Sequence, residues 1–321
     1  MRNPKLSICM PAYNYGRYIR TAIESVRGQS SADVELIVLD GGSTDDTREV
    51  VQRIAGTWPA LRYVRQETRG GIDADLARSV ELATGEYCWL LSADDALQEG
   101  ALSRILAEFE RGNDILLCNR IWCDAQLGPL HRQSWLENGD RDRTVDLSSD
   151  ADLLAYLEAA RSLGALFSFM SCIGFHRETW TRSQGPAVPF YTHVGRLLGM
   201  GRSGARYKYL AEPLVLCRGG TDSFRVGGLA RRLLADLHAY RELAAAMIPA
   251  DRILREAFLA VMRREHPLRR WIGARLQTSD LELWREVERE LSEYGFSGLE
   301  LSLINAVGAA LRRLGAFVPG R

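Results

Sequence analysis

Two acidic clusters carry the chemistry of this sequence. Asp40-Gly41-Gly42-Ser43-Thr44-Asp45-Asp46 follows the apolar run 36–39, and Ser92-Ala93-Asp94-Asp95 follows the apolar run 87–91. Adjacent carboxylates such as Asp94 and Asp95 repel each other unless a positive charge lies beside them. A divalent cation bridging phosphate oxygens answers that need, and Mg²⁺ or Mn²⁺ prefers an all-oxygen environment. The competing reading is an acidic first turn for the helix expected near 99–110. At the first cluster, Gly41 and Gly42 let the chain turn sharply and approach a ligand closely. The carboxylate of Asp40 can there accept hydrogen bonds from a base or from ribose hydroxyls, against the alternative of an ordinary strand-to-helix turn. In an open α/β sheet the carboxyl ends of strands are where ligands sit. Two carboxylate clusters at two such ends point to a polar, metal-tolerant ligand such as a nucleotide-sugar.

The elements that must position these clusters alternate regularly. Residues 6–10 read as a buried strand ended by Pro11, and Tyr18, Ile19, Ala22, Ile23 and Val26 recur on one helix face. A strand at 34–39 leads to a helix capped by Ser43, with Asp46 three residues on. Strands at 61–65, 87–91 and 115–118 alternate with helices at 72–83 and 99–110. Repeated βα units imply a mainly parallel, Rossmann-like α/β sheet flanked by helices. Residues 125–150 are polar and read as a surface excursion. Further strands are expected at 171–175 and 213–217, with a helical stretch at 190–201 between them. From 227 onward the pattern is helical only, with stripes at Leu233, Leu237, Tyr240, Ala244 and Met247, at Trp284, Val287, Leu291 and Tyr294, and at Ile304, Val307, Leu311 and Leu314. The expected organisation is a catalytic domain at 1–226, itself divided at 120, and an α-helical C-terminal region at 227–321.

Composition narrows the classes. With 41 basic against 41 acidic residues, no global field recruits nucleic acid. The six cysteines are scattered without a C-x-x-C pair and read as reduced core residues of a cytoplasmic protein. No apolar signal core begins the chain, and no uncharged stretch reaches about 18 residues, so neither export nor a membrane span is expected.

Pro11-Ala12-Tyr13-Asn14 after the first strand, Asp40 to Asp45 after the second, and Ala83-Thr84-Gly85-Glu86-Tyr87 leading to Ala93-Asp94-Asp95 resemble, in order and spacing, the family 2 glycosyltransferases with the GT-A fold. The resemblance covers roughly residues 5–120 and continues more weakly to about 225. It implies that Asp40 holds the nucleobase with Gly41 beside it, and that Pro11, Ala12 and Tyr13 line the nucleotide pocket. It also implies that Asp94 binds ribose and that Asp95 holds Mg²⁺ or Mn²⁺, with Asp94 as a further metal ligand. Gly70-Gly71-Ile72-Asp73-Ala74-Asp75 is similar to the branch of abequosyltransferases and other O-antigen sugar transferases. There Asp73 would sit close to the donor and Arg78 would contact nucleotide or phosphate, whereas acidic residues favouring a helix start are the plain alternative.

Family members place a Glu-Asp pair at a helix start in the second half, and its Asp deprotonates the acceptor. Here that place holds Thr192-His193, so His193 is the candidate general base, unless the alignment has slipped or Asp73 or Asp95 has the larger role. Arg218, beside Gly219-Gly220, suits a loop that closes on the diphosphate and neutralises the leaving group; a linker before the helical tail is the alternative. In the tail, Arg263, Arg264, His266, Arg269, Arg270 and Arg275 interleave with apolar residues, and 299–317 is similarly amphipathic. Such composition can lie on an anionic membrane surface carrying a lipid-linked acceptor, or pack on the catalytic domain or a twin subunit.

The expectation is a metal-dependent, inverting hexosyl- or deoxyhexosyltransferase. It would move sugar from a nucleoside-diphosphate donor to a saccharide or polyprenyl-linked acceptor at the inner face of the plasma membrane, in O-antigen-like surface polysaccharide synthesis. Two rivals stand beside it: a catalytically silent subunit of the same fold, and a sugar nucleotidyltransferase. The second would favour a Gly-rich, basic loop where Pro11-Ala12-Tyr13-Asn14 stands.

Overall fold

The computed structural model describes residues 4–220 and 228–313, and the chain divides into two compact units, 1–221 and 222–321. In the first unit β1 (Leu6–Ala12), β2 (Val34–Asp40), β3 (Leu61–Arg65) and β4 (Tyr87–Leu90) alternate with α1 (Gly16–Arg27), α2 (Thr47–Ala55) and α3 (Ile72–Glu81). There follow β5 (Ala96–Leu97), α4 (Ala101–Glu110), β6 (Ile115–Cys123), β7 (Pro129–Gln133), β8 (Arg143–Val145) and α5 (Asp150–Ala159). The unit ends with β9 (Ile173–His176), α6 (Arg177–Arg182), α7 (Thr192–Arg202) and β10 (Tyr207–Arg218).

The sheet runs β3-β2-β1-β4-β9-β6-β10-β5, with β7 on β6 and β8 on β10. Pairs among β1 to β4 are parallel, as is β6 with β10, while β9 lies antiparallel between β4 and β6. The sheet is therefore mixed, with a parallel first half. The chain lays β2 and β3 to one side of β1 and then crosses to put β4 on the other. That reversal is a topological switch point, and it brings Ala12, Asp40 and the segment after Leu90 to one end of the sheet. β1 is buried along its whole length, which is why its sequence is a continuous apolar run rather than an alternation.

Three expectations change in detail. The first strand continues through Pro11, which lies opposite Leu39. Leu91 N–H donates to Cys9 O and Gly41 N–H to Ala12 O, so odd residues of β1 face β4. The donor that Pro11 lacks thus falls just past the end of β4, where no ladder bond is lost. Ser43 does not cap a helix: α2 starts at Thr47, whose N–H donates to Asp45 Oδ1 at 3.0 Å. The excursion at 125–150 contains β7 and β8 and sends Trp135 and Leu136 into the core, with the Trp135 indole donating to Cys118 O at 2.6 Å. All six cysteines are buried and unpaired.

The described part of the second unit holds α8 (Leu229–Met247), α9 (Arg252–Glu265), α10 (Leu268–Gln277), α11 (Leu281–Glu293) and α12 (Gly298–Arg313). Leu233, Leu237, Tyr240 and Ala244 of the first stripe are buried, as are Trp284, Val287, Leu291, Tyr294 and Ile304, while Leu314 lies outside the described residues. Among the described residues no helix is long and apolar enough to cross a membrane.

Candidate active site

The loops after β1 and β2 are fastened to each other, which makes them one structure. Asn14 N–H donates to Ser43 Oγ at 2.9 Å, and Thr44 N–H donates to Asn14 Oδ1 at 2.8 Å. Tyr15 N–H donates to Thr47 Oγ1 and Gly16 N–H to Asp45 Oδ2, both at 2.9 Å. A side chain at Gly16 would run into Asp46 Oδ1 at 1.8 Å, so this junction requires glycine.

Asp40 closes β2 and is fully buried. Its Oδ1 accepts Ser43 N–H at 2.7 Å, and its Oδ2 accepts the Tyr63 hydroxyl at 2.5 Å, with Arg65 Nε 3.8 Å away. Burial and the adjacent Asp40 charge push the Tyr63 hydroxyl pKa up, so that it stays a donor. Gly41 packs so closely that a Cβ there would meet Asp75 Oδ2 at 2.8 Å. Asp75, buried, accepts Gln66 Nε2 at 2.7 Å and Gly70 N–H at 3.2 Å through its other oxygen. The Arg69 guanidinium lies 4.2 Å from the Tyr13 ring centroid. Tyr63 and Arg69 escaped the sequence reading, with only the aromatic and basic content of 61–71 hinting at them, and the sequence marks Asp75 only as part of the 70–75 segment and as an acidic residue of a helix start.

Asp94 and Asp95 are both buried. Ser171 Oγ donates to Asp95 Oδ2 at 2.6 Å and accepts Ser92 N–H at 3.0 Å, while Ser92 Oγ donates to Asp94 Oδ1. Arg218 N–H donates to Asp95 Oδ1 at 3.0 Å. Burial first, and then the Asp94 charge, push Asp95 up to about 7, against the pull of Ser171, the Arg218 backbone and Arg120. The Arg218 side chain is fixed here rather than carried on a swinging loop. Its Nε donates to Asp94 O at 2.8 Å, its Nη1 to Ala125 O at 2.7 Å, and its Cζ lies 4.9 Å from the Tyr18 ring centroid. The reason is the strand itself: β10 pairs with β5 directly after the acidic pair, Leu216 opposite Ala96. Gly219 follows with its N–H on Cys123 O at 3.1 Å, and Thr221–Phe224 of the expected loop lie outside the described residues. Burial and the mutual repulsion of the two carboxylates leave a pair of oxygen donors whose negative charge is costly where it stands. That donor set fits a hard divalent cation. Among the described residues no third His, Cys, Asp or Glu joins the pair into a complete protein cage.

Asp73 and His193 meet at the start of α7. Asp73 Oδ2 accepts Phe190 N–H at 2.6 Å and its Oδ1 accepts Thr192 N–H at 3.2 Å, holding Phe190 in the left-handed region at φ 66°. His193 is buried, with Nε2 donating to Phe167 O at 3.1 Å. Burial drives its pKa down to about 4, against the nearby Asp73 and the Phe167 carbonyl. A buried imidazole of such low basicity, with one nitrogen tied to a carbonyl, does not suit the base expected of it. Arg78 also differs from expectation. It is exposed, pairs with Glu81 at 2.9 Å, and lies about 7.5 Å of helix rise beyond Asp73.

A shallow depression lined by Pro4, Lys5, Thr84, Glu86, His176 and Arg177 lies at the opposite, amino ends of β1 and β4, away from these groups.

A sheet that reverses order beside β1, with a buried acidic pair after β4 at that switch point, has the GT-A architecture, and the chain belongs to glycosyltransferase family 2. Residues 7–156 match the family described as Glycosyl transferase family 2. Along 314 residues the chain is 32% identical to the abequosyltransferase RfbV of Salmonella typhimurium, covering 94% of this chain and 92% of that one. It is 34% identical over 110 residues to a Campylobacter jejuni GalNAc(5)-diNAcBac-PP-undecaprenol beta-1,3-glucosyltransferase, covering 34% of this chain and 36% of that protein. Among solved structures, S. aureus TarS 1-349 in complex with UDP-GlcNAc has a TM-score of 0.64 at 17% identity, covering 90% of this chain and 80% of that one. The mannosyltransferase PcManGT of Pyrobaculum calidifontis, solved with GDP-Man and Mn²⁺, has a TM-score of 0.54 at 16% identity and covers 99% of this chain and 89% of its own. The chain is a glycosyltransferase, and the silent-subunit and nucleotidyltransferase readings fall away.

Proposed function

We propose that this glycosyltransferase moves a sugar from a nucleoside-diphosphate donor to a hydroxyl of a saccharide, free or polyprenyl-linked, in bacterial surface polysaccharide synthesis of the O-antigen kind. The observation that carries it is the buried Asp94–Asp95 pair at the carboxyl end of β4, braced by Ser92, Ser171 and the Arg218 backbone. Asp95 and Asp94 would hold Mg²⁺ or Mn²⁺, which when bound neutralises the diphosphate and makes it a better leaving group. The Mn²⁺ and GDP-Man of the Pyrobaculum enzyme and the UDP-GlcNAc of TarS support this reading.

The nucleotide lies against Pro11, Ala12 and Tyr13, with Arg69 over the Tyr13 ring. Asp40 holds the base, with Gly41 beside it. The acceptor base is Asp73: its half-buried carboxylate reaches the start of α7, and each oxygen carries only one backbone N–H. In a single inverting displacement the acceptor oxygen loses its proton to Asp73 and attacks the anomeric carbon. The bond from that carbon to the diphosphate oxygen breaks, releasing the nucleoside diphosphate.

We place the catalytic domain at 1–226 and the helical region at 227–321, at the inner face of the plasma membrane. On α12, Leu299 at 85% and Leu303 at 48% exposure share a face with the exposed Ala306 and Ala310, and Arg269 and Arg270 of α10 are also exposed. Apolar anchors and exposed arginines in one unit suit an anionic bilayer that presents a lipid-linked acceptor. Co-sedimentation with phosphatidylglycerol vesicles, lost on Leu299→Asp with Leu303→Asp, checks it; a size shift to a dimer without vesicle binding would favour a twin subunit.

The deciding experiment is thermal stability against UDP, GDP, CDP and dTDP with and without Mn²⁺, on wild type and Asp95→Ala. A Mn²⁺-dependent rise with one diphosphate, absent in the variant, is expected. No rise with any of them overturns the donor-site reading.

A further inference from the structure

Beside the acidic pair lies a group of aromatic side chains that the donor chemistry does not use. Arg120 and Trp122, two residues apart on β6, face the same side of the sheet. Opposite them on β7 stand Gln133 and the exposed His131. The Arg120 guanidinium carbon lies 4.0 Å from the Phe169 ring centroid, 4.7 Å from that of Trp135 and 5.2 Å from that of Trp122. Its Nε donates to Gln133 Oε1 at 2.9 Å. A cation held among three rings and tied to a glutamine fixes how those rings stand.

The three rings are not equivalent. Trp135 is buried and its indole N–H is on Cys118 O, so it is the backing of the group. Trp122 and Phe169 keep part of their surface in solvent, and the Trp122 indole N–H has no hydrogen-bond partner among the described residues. Both sit one short step from the reacting centre. Phe169 precedes Ser171, whose hydroxyl is on Asp95. Trp122 stands against Gly219, where a Cβ would lie 3.6 Å from the indole, directly after the Arg218 whose N–H is on Asp95.

We propose that Trp122 and Phe169 form the subsite for the acceptor's sugar ring, a deepening that rests on the transferase reading above. Half-exposed rings with fixed orientation offer their negative faces to the C–H side of a pyranose. The Trp122 indole N–H, Gln133 and His131 offer hydrogen bonds at the rim to its hydroxyls, the mix of apolar floor and few polar groups that small-molecule sites use. A phosphate or other anion is the poorer fit, because the Arg120 guanidinium is already engaged by the rings, by Gln133 Oε1 and by Cys217 Sγ.

Saturation-transfer NMR of the full chain with methyl glycosides of mannose, galactose and rhamnose tests the subsite, alongside the melting shift given by nucleoside diphosphates. Wild type should saturate the C–H protons of at least one glycoside. Trp122→Ala should weaken its binding about three- to tenfold, the worth of one ring contact, with the diphosphate shift unchanged. Trp122→Phe should restore most of the signal, and Arg120→Lys, which loses the planar stack, should lower it. Absence of saturation in wild type, or equal signals in Trp122→Ala, overturns the subsite. If Trp122→Ala loses both readouts its fold is damaged, and the pair Trp122→Phe and Phe169→Leu decides: the first must keep the signal and the second must weaken it, or the proposal fails. A wild type that binds glycosides but no diphosphate would instead overturn the transferase reading alone.

Discussion

The Ser171 hydroxyl donates to Asp95 Oδ2 at 2.6 Å while accepting the Ser92 N–H at 3.0 Å, so one side chain from the segment before β9 ties the acidic loop to its own carboxylate. Trp89 Nε1 donates to Ser171 O at 2.9 Å and locks that segment in turn. Ser171 thereby aims Asp95 without being able to hold a cation strongly itself.

Ser171→Ala should lower Mn²⁺ affinity by about 10–100-fold, the usual effect of losing a group that orients a metal ligand. Titration of the bound Mn²⁺ signal by electron paramagnetic resonance reads it directly, and an unchanged affinity would remove Ser171 from the site.

Asp95→Asn separates stability from activity. The folded pKa of Asp95, near 7, lies above the ordinary 3.8, so its contribution to stability is full below pH 3.8 and is lost as pH rises through 7. Without divalent cation at pH 8 the variant should melt higher than wild type, by roughly 2–4 °C for each kcal/mol recovered. Transfer should fall on the order of 10³-fold. A variant that melts lower at pH 8 would show that the buried charge is already compensated.

His193 has the opposite sign. Its folded pKa of about 4 lies below the ordinary 6.5, so stability is full above pH 6.5 and is lost as pH falls towards 4, by at most about 3 kcal/mol. His193→Gln should flatten that part of the melting-temperature profile and keep transfer within about tenfold of wild type. A loss of several hundredfold with the fold intact would return His193 to the role of base.

Asp73→Asn keeps an oxygen for the α7 backbone but cannot take a proton. Transfer should fall by about 10²–10⁴-fold, with the melting shift from nucleoside diphosphate retained. Transfer at the wild-type rate would reduce Asp73 to a cap for α7.

Much of the donor half was legible because it is local. The apolar runs at 34–39 and 87–91, with acidic residues directly after each, specify strands and what stands at their ends, and α1 announced its buried face through Ile19, Ala22, Ile23 and Val26. Where the reading slipped, a distant contact had outweighed a local preference. Ser43 has a good capping side chain, yet its hydroxyl accepts the N–H of Asn14 from another loop. The 125–150 segment is polar overall, yet Trp135 and Leu136 leave it for the core.

The alternation of strands and helices along the first half of the chain, the acidic pair and the family were already present in the residues, since each rests on hydrophobic periodicity or on neighbours within a few positions. Which side chains serve the pair was decided only in three dimensions. Ser171 lies 76 positions from Asp95 and Arg218 lies 123 from it, while Asp73 reaches Thr192 across 119. No local propensity records such pairings, because they exist only once the sheet has brought the carboxyl ends of β4 and β10 and the starts of α3 and α7 together. Burial then settled the rest: it turned His193 into a weak base, held the Arg218 side chain against the carbonyls of Asp94 and Ala125, and raised the Asp95 pKa.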